Sequence, residues 1–256
     1  MSKNKIINKI ENAIHDFAAL HNLISGICNH DDKSIIVIGK PYPPSTFKNL
    51  SSLACGTDYH VTLTNILKEL NSNLGLNGTI MVDNGPLIEK PLAVKAGLGH
   101  LGKNGLVISP TLGSFFNIGL IVTDTQLTPS APSTGSCPAD CRICQETCPS
   151  GDIADKQKCV SYLTQKRGNI AKIEPVTLCN QLYGCDICQL CCPFNKVTSP
   201  PTEVIDPVEI LSMTEEYFDT RFGHTAMAWR GLRQLKRNAR VIISHAFSTE
   251  VENTIL

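Results

Sequence analysis

Twelve cysteines stand in this 256-residue chain, and all but Cys28 and Cys55 fall between positions 137 and 192. Within that stretch ICQETCP (143–149) and ICQLCCP (187–193) are nearly one phrase written twice. The first copy completes CPADCRICQETCP, which holds Cys137, Cys141, Cys144 and Cys148 before Pro149. The ferredoxin run is C-x₂-C-x₂-C-x₃-C-P, with its fourth cysteine on the other cluster. Here the first gap is one residue longer and the remainder matches. The second copy, GCDICQLCCP, supplies Cys185, Cys188 and Cys192 before Pro193. Crosswise sharing assigns Cys137, Cys141, Cys144 and Cys192 to one [4Fe–4S] cluster. Cys148, Cys185 and Cys188 begin the other, with Cys159 or Cys179 as the eighth ligand. The chemistry implied is electron relay, because two clusters can pass two electrons in succession. Structural zinc also uses paired C-x₂-C motifs, but the x₃ spacing and the following prolines favour clusters. Cys28, Cys55 and Cys191 read as ordinary free thiols.

Three other stretches carry chemical groups. GLGHLG (97–102) fits a dinucleotide fingerprint, with Asp124 further on, but it does not follow a strand, and Gly105 and Pro110 interrupt any helix after it. Asp83-Asn84-Gly85 is a turn signal in its own right. Between positions 221 and 240 stand Arg221, Arg230, Arg233, Lys236, Arg237 and Arg240 with no acidic residue. In a chain of zero formal net charge, such a cluster is the footprint that phosphate binding leaves. Trp229 beside Arg230 adds a surface on which an unpaired base could stack.

The elements that must position these groups follow from periodicity. Ile6, Ile7, Ile10, Ile14 and Phe17 share one face of an N-terminal amphipathic helix. SIIVIG (34–39), GTIM (78–81), LVIS (106–109) and FFNIGLIVTD (115–124) read as strands. DYHVTLTNILKEL (58–70) and EKPLAVKAG (89–97) read as helices between them. DPVEILSMTEEYFDTRF and TAMAWRGLRQLKRNARVIISHAF add C-terminal helices. The fold class is α+β: an α/β core with a ferredoxin-like double-cluster domain. Three consecutive domains are expected, 1–128, 129–200 and 201–256, with the break in TPSAPSTGS. The N-terminus shows no signal-peptide core, and no apolar run is long enough for a membrane span. The expectation is a cytoplasmic monomer, in which thiols at this density hold metal rather than disulfides.

At this point the residues resemble a family. VDNGPLIEKPLAVKAGLGHLGKNGLVISPTLGSFFNIGLIVTD is similar to the core motif of epoxyqueuosine reductases. These are cobalamin-dependent iron–sulfur enzymes of tRNA queuosine synthesis, related to reductive dehalogenases. LACGTDYH, KCVSYLTQKRG, LYGCDICQLCCPFNK and FGHTAMAWRGLRQLKRNA extend the resemblance over roughly residues 34 to 245, and the chain is shorter at both ends than most such proteins. The resemblance implies that Cys159 is the eighth cluster ligand, leaving Cys179 spare. It implies two [4Fe–4S] clusters and base-off cobalamin, with Asp83 as proton donor above the corrin. Such a carboxyl, buried beside the corrin, would have a raised pKa. Gly97 and Gly99 would let backbone approach the macrocycle, with Val107, Ile118 and Gln165 at contacting positions. Arg167 falls at a tRNA-contacting position, to which the cluster adds Arg230, Arg233 and Arg237. The implied substrate is a tRNA anticodon stem-loop, and a low-potential donor supplies the electrons. The rivals are a reductase of another small epoxide or halide, and a two-cluster electron carrier without corrin.

Overall fold

A computed structural model describes residues 3–168 and 178–254, with side chains described for 4–168 and 178–244. The chain forms two compact units. The first comprises Met1–Tyr42, Tyr59–Cys141 and Pro193–Lys196; the second comprises Pro43–Asp58, Arg142–Cys192 and Val197–Leu256.

The first unit is built on a four-stranded antiparallel sheet in the order β1-β2-β6-β3. Its strands are β1 (Ile24–His30), β2 (Lys33–Pro41), β3 (Thr79–Met81) and β6 (Phe116–Thr123). A small ribbon pairs β4 (His100–Leu101) with β5 (Val107–Ile108). Side chains alternate across β2, so Ile36 and Ile38 meet one cluster while Ile35 and Val37 meet another. The first cluster includes Ile14 and Ala18 of α1 (Lys3–Leu20) and Leu63, Leu67 and Leu70 of α2 (Tyr59–Leu74). The second includes Leu92 and Ala93 of α3 (Glu89–Lys95) together with Val107. With helices on both faces, SIIVIG reads as a continuous apolar run although its sheet is antiparallel.

The second unit is mainly helical. It contains α4 (Ile143–Glu146), α5 (Val160–Gln165), α6 (Ile187–Leu190), α7 (Pro207–Ser212), α8 (Glu215–Phe222) and α9 (Gly231–Thr254). Asp206 caps α7 by accepting from Val208 N at 2.8 Å, and Thr214 caps α8 by accepting from Tyr217 N at 3.2 Å. Its core gathers Leu50 and Ala54, Leu182 and Tyr183, and Ile210, Phe218, Phe222, Leu232 and Leu235.

This division corrects the expected domains 1–128, 129–200 and 201–256. The loop after 128 docks rather than linking: Ser130 Oγ accepts from Ile27 N, and Ser130 N and Ser133 N donate to Ile27 O and Val94 O. Residues 43–58 fold with the later segments, through Lys48 N to Glu203 O and Ser51 N to Tyr183 O, each 2.8 Å. The cysteine-dense segment therefore shares a core with pieces from both ends of the chain. Among the described residues, no helix is long and apolar enough to cross a membrane.

Candidate functional site

In the second unit the repeated phrase makes the same turn twice. In the first copy Gln145 N and Glu146 N both donate to Arg142 O, Thr147 N to Ile143 O, and Cys148 N to Gln145 O. In the second, Gln189 N and Leu190 N donate to Asp186 O, Cys191 N to Ile187 O, and Cys192 N to Gln189 O. The two short helices pack against each other. Cys185 feels both Cys148 and Cys159, and Cys188 feels Cys185 and Cys159, so the four thiols of the second ligand set lie within electrostatic reach. Burial pushes the Cys185 thiol up to about 12 and also raises Cys188, with neighbouring thiols and Asp186 adding to it. Metal binding must displace those protons, since the thiolate is the ligand. Cys144 is buried and Cys192 half-buried in the same unit. Among the described residues, no three His, Cys, Asp or Glu side chains form a ready-made site for a single ion.

Asp186 holds the second turn from behind. It is buried, and accepts from Ser52 N at 2.6 Å and from Gln189 Nε2 at 2.9 Å. Burial raises its pKa, and these hydrogen bonds oppose the shift.

Cys137 and Cys141 belong to the first unit, where the 97–103 loop grips their segment. Lys103 Nζ donates to Pro138 O, Ala139 O and Cys141 O at 2.8–3.0 Å. His100 is buried, with Nε2 at 4.0 Å from Cys137 Sγ and its ring edge-on to Phe194. The glycines of GLGHLG are accounted for inside the chain. A Cβ at Gly99 would stand 2.2 Å from Ile108 O, and one at Gly97 2.5 Å from Ala131 O.

Asp83 follows the edge strand β3 with φ 56°, the left-handed region that Asp tolerates better than most residues. Its N–H donates to Glu89 Oε1 at 2.9 Å, and Tyr59 Oη donates to its Oδ2 at 2.8 Å. His60 Nε2 lies 3.8 Å from the same oxygen and stacks on Tyr59. The side chain is 65% exposed. The protein's own atoms leave this carboxyl accessible. Tyr59 and His60 were not singled out as partners from sequence. The signal was present in the neighbouring DYH, but only the fold brings it to Asp83.

Val107 is a buried core residue, and Ile118 on β6 is half-buried. Gln165, in the second unit, donates to Ser161 O at 3.1 Å from the end of α5.

The basic residues form a cleft of about 550 Å³ in the second unit, lined by Arg167, Gly168, Arg230, Arg233, Gln234, Arg237 and Arg240. Arg230 Nε is buried there with no hydrogen-bond partner among the described residues. Trp229 is 65% exposed beside it. Two of the expected cations are otherwise engaged. Arg221 pairs with Glu209 at 2.5 Å, and Arg237 donates to a set of backbone carbonyls.

The chain thus joins an antiparallel α+β unit to a mainly helical unit that carries the same cysteine turn twice. No family model matches the chain. It is 32% identical over 246 residues to an epoxyqueuosine reductase of Lactococcus garvieae, covering 84% of this chain and 70% of that one. The structure of the Streptococcus thermophilus epoxyqueuosine reductase superposes with a TM-score of 0.78 at 27% identity, covering 92% of this chain and 81% of that one. An epoxyqueuosine reductase solved with an epoxyqueuosine-modified tRNA-Tyr stem-loop shares the fold, with a TM-score of 0.80 at 24% identity over 93% and 82% of the two chains. The chain belongs to the epoxyqueuosine reductase family. It spans 64 to 70% of the length of the first curated relatives.

Proposed function

We propose that this protein reduces the epoxide of epoxyqueuosine in tRNA, using two [4Fe–4S] clusters and base-off cobalamin in the cytoplasm. The observation that carries the proposal is the duplicated cysteine turn, with Cys148, Cys159 and Cys188 each within electrostatic reach of Cys185, in a member of this family. An all-thiol donor set suits iron–sulfur clusters. Cys137, Cys141, Cys144 and Cys192 are assigned to one cluster and the other four to the second.

Reducing an epoxide to an alkene and water takes two electrons and two protons. When bound, the cofactors would supply the electrons, singly from a low-potential donor to the substrate carbon. The chain's own task is the proton. Asp83 presents an accessible carboxyl, and protonating the departing oxygen is what makes it a workable leaving group. Tyr59 and the Glu89 contact to its backbone fix where that carboxyl stands. Ile118 and Gln165 are the residues proposed to face the corrin, with Val107, buried in the core, as support behind Ile118. Gly97 and Gly99 serve it indirectly, by letting the 97–103 loop close on Ala131 and Ile108. The arginine cleft, with Trp229 at its side, gives the RNA a cationic surface and a stacking face.

Anaerobic purification with added cobalamin, an optical spectrum and metal analysis test the cofactors. About eight irons and a retained corrin are expected, from four irons in each cubane. Stoichiometric zinc without visible absorbance would overturn the clusters, and absence of corrin would leave an electron carrier. Turnover of a small epoxide but not of an epoxyqueuosine stem-loop would overturn the tRNA substrate.

A further inference from the structure

The arginines of the cleft are not alike. A guanidinium carries five N–H donors, and at Arg237 each has an acceptor within the chain. Nε donates to Asn238 Oδ1 at 3.0 Å. Nη1 donates to Lys166 O and, at 2.9 Å, to Gly168 O. Nη2 donates to Leu163 O at 2.8 Å, Thr164 O at 3.2 Å and Asn238 Oδ1 at 2.6 Å.

The neighbours on the same face of α9 do likewise. Gln234 Nε2 donates to Thr164 O at 2.8 Å and Lys166 O at 2.9 Å. Asn238 Nδ2 donates to Thr164 O at 2.8 Å and Leu182 O at 2.7 Å. Positions 234, 237 and 238 are spaced as one helical face. The need is local. Helix α5 ends when Lys166 turns to extended backbone, leaving its last carbonyls without intrahelical partners. The positive guanidinium also suits the negative end of the helix. Burial lowers the Arg237 pKa to about 10, which still leaves it charged at neutral pH.

We propose that Arg237 is a positioning residue: with Gln234 and Asn238 it clasps segment 163–168, which presents Arg167, so that phosphate contact falls to Arg167, Arg230, Arg233 and Arg240. The assignment rests on the tRNA reading for its phosphate half and stands independently of it for the clasp. Helix α5, whose last residues lie in that segment, begins immediately after Cys159, so the clasp also steadies the helix that leaves a proposed cluster ligand.

The test compares Arg237→Lys, Arg237→Gln, Gln234→Leu, Arg167→Gln and the double variant Arg167→Gln/Arg237→Gln in the full chain, loaded with iron anaerobically. Lysine keeps the charge but places all its donors on one nitrogen, which cannot span four carbonyls. Limited trypsin digestion reads the clasp directly. Cleavage after Lys166 or Arg167 should quicken by about tenfold in Arg237→Lys and Gln234→Leu, as expected where local opening becomes easier. Wild-type resistance in both variants overturns the clasp. Fluorescence anisotropy with an anticodon stem-loop reads the phosphate half. Arg237→Lys should bind as weakly as Arg237→Gln, Gln234→Leu should also weaken binding, and the double variant should bind no worse than Arg167→Gln, since coupled residues are non-additive. Rescue by lysine, or losses that multiply in the double variant, would make Arg237 a direct phosphate ligand. If wild type fails to bind the stem-loop at low salt, the tRNA reading falls while the trypsin result still decides the clasp.

Discussion

Replacing Asp83 by Asn separates the proton from everything else that residue does. The backbone there is left-handed, at φ 56°. Alanine would pay about 1–2 kcal/mol for that conformation, whereas asparagine adopts it readily. The hydrogen bond from Asp83 N to Glu89 Oε1 is made by the backbone and survives the change. Tyr59 can donate to the amide oxygen as it does to the carboxylate. With 65% of the side chain exposed, folding stability should change by no more than about 0.5 kcal/mol. Turnover has no such protection. Loss of a positioned general acid costs about 10²-fold or more, equivalent to about 2.7 kcal/mol of barrier. The assay is single-turnover conversion of an epoxyqueuosine stem-loop, followed by mass spectrometry, with thermal melting and the cofactor spectrum measured on the same preparation. Unchanged melting and loading with turnover down a hundredfold is the expected result. Near-normal turnover would refute the reasoning and return Asp83 to a turn residue.

Cys159→Ala should disturb one of two clusters and Cys179→Ala neither, as read by iron content and paramagnetic resonance of the reduced protein. Arg233→Glu with Arg240→Glu should weaken stem-loop binding and flatten its salt dependence, by about 0.7 in log–log slope for each phosphate no longer neutralised; an unchanged slope argues against the cleft. Asn49 is buried, donates to Ile205 O at 2.7 Å and accepts from Ile205 N at 3.1 Å, so Asn49→Ala should cost about 2–4 kcal/mol in chemical denaturation. Burial pushes Tyr183 up to about 12, with Asp58 adding and Arg230 opposing. Its pKa is raised, so its contribution to stability is complete below about pH 10 and lost as pH rises through about 12. An ultraviolet titration should therefore carry a late tyrosine component, and Tyr183→Phe should remove it.

The repeated cysteine phrase was legible as a repeat, and both copies fold into the same turn. Helices α1 and α2 were legible from period, and strands β2 and β6 from their short apolar runs. Strand β1 was not, because Ser25, Gly26 and Asn29 break its apolar alternation. Gly26 has a reason that only packing shows, since a Cβ there would meet Ala96 O at 2.0 Å. The domain break failed for a related cause. TPSAPSTGS has linker composition, but composition does not say whether its backbone groups find partners, and here Ser130 and Ser133 do. At the cleft the sequence counted charges correctly and could not say which were already engaged. Arg237 looks like Arg233 until the carbonyls of residues 163–168, some seventy positions earlier, are seen beside it.

The twofold turn invites the thought that its halves are interchangeable parts, and the buried Asp186 shows that they are not. The first copy opens on Arg142 and the second on Asp186, with the same backbone course. A graft of the first copy into the second position would keep every cysteine at its spacing. It would also bring an arginine to the place where Ser52 N and Gln189 now find a carboxylate. What the two copies share is a backbone shape, and each is keyed to its own surroundings. Lineages of such modules should therefore recombine poorly within one chain, even where their metal-binding residues align letter for letter.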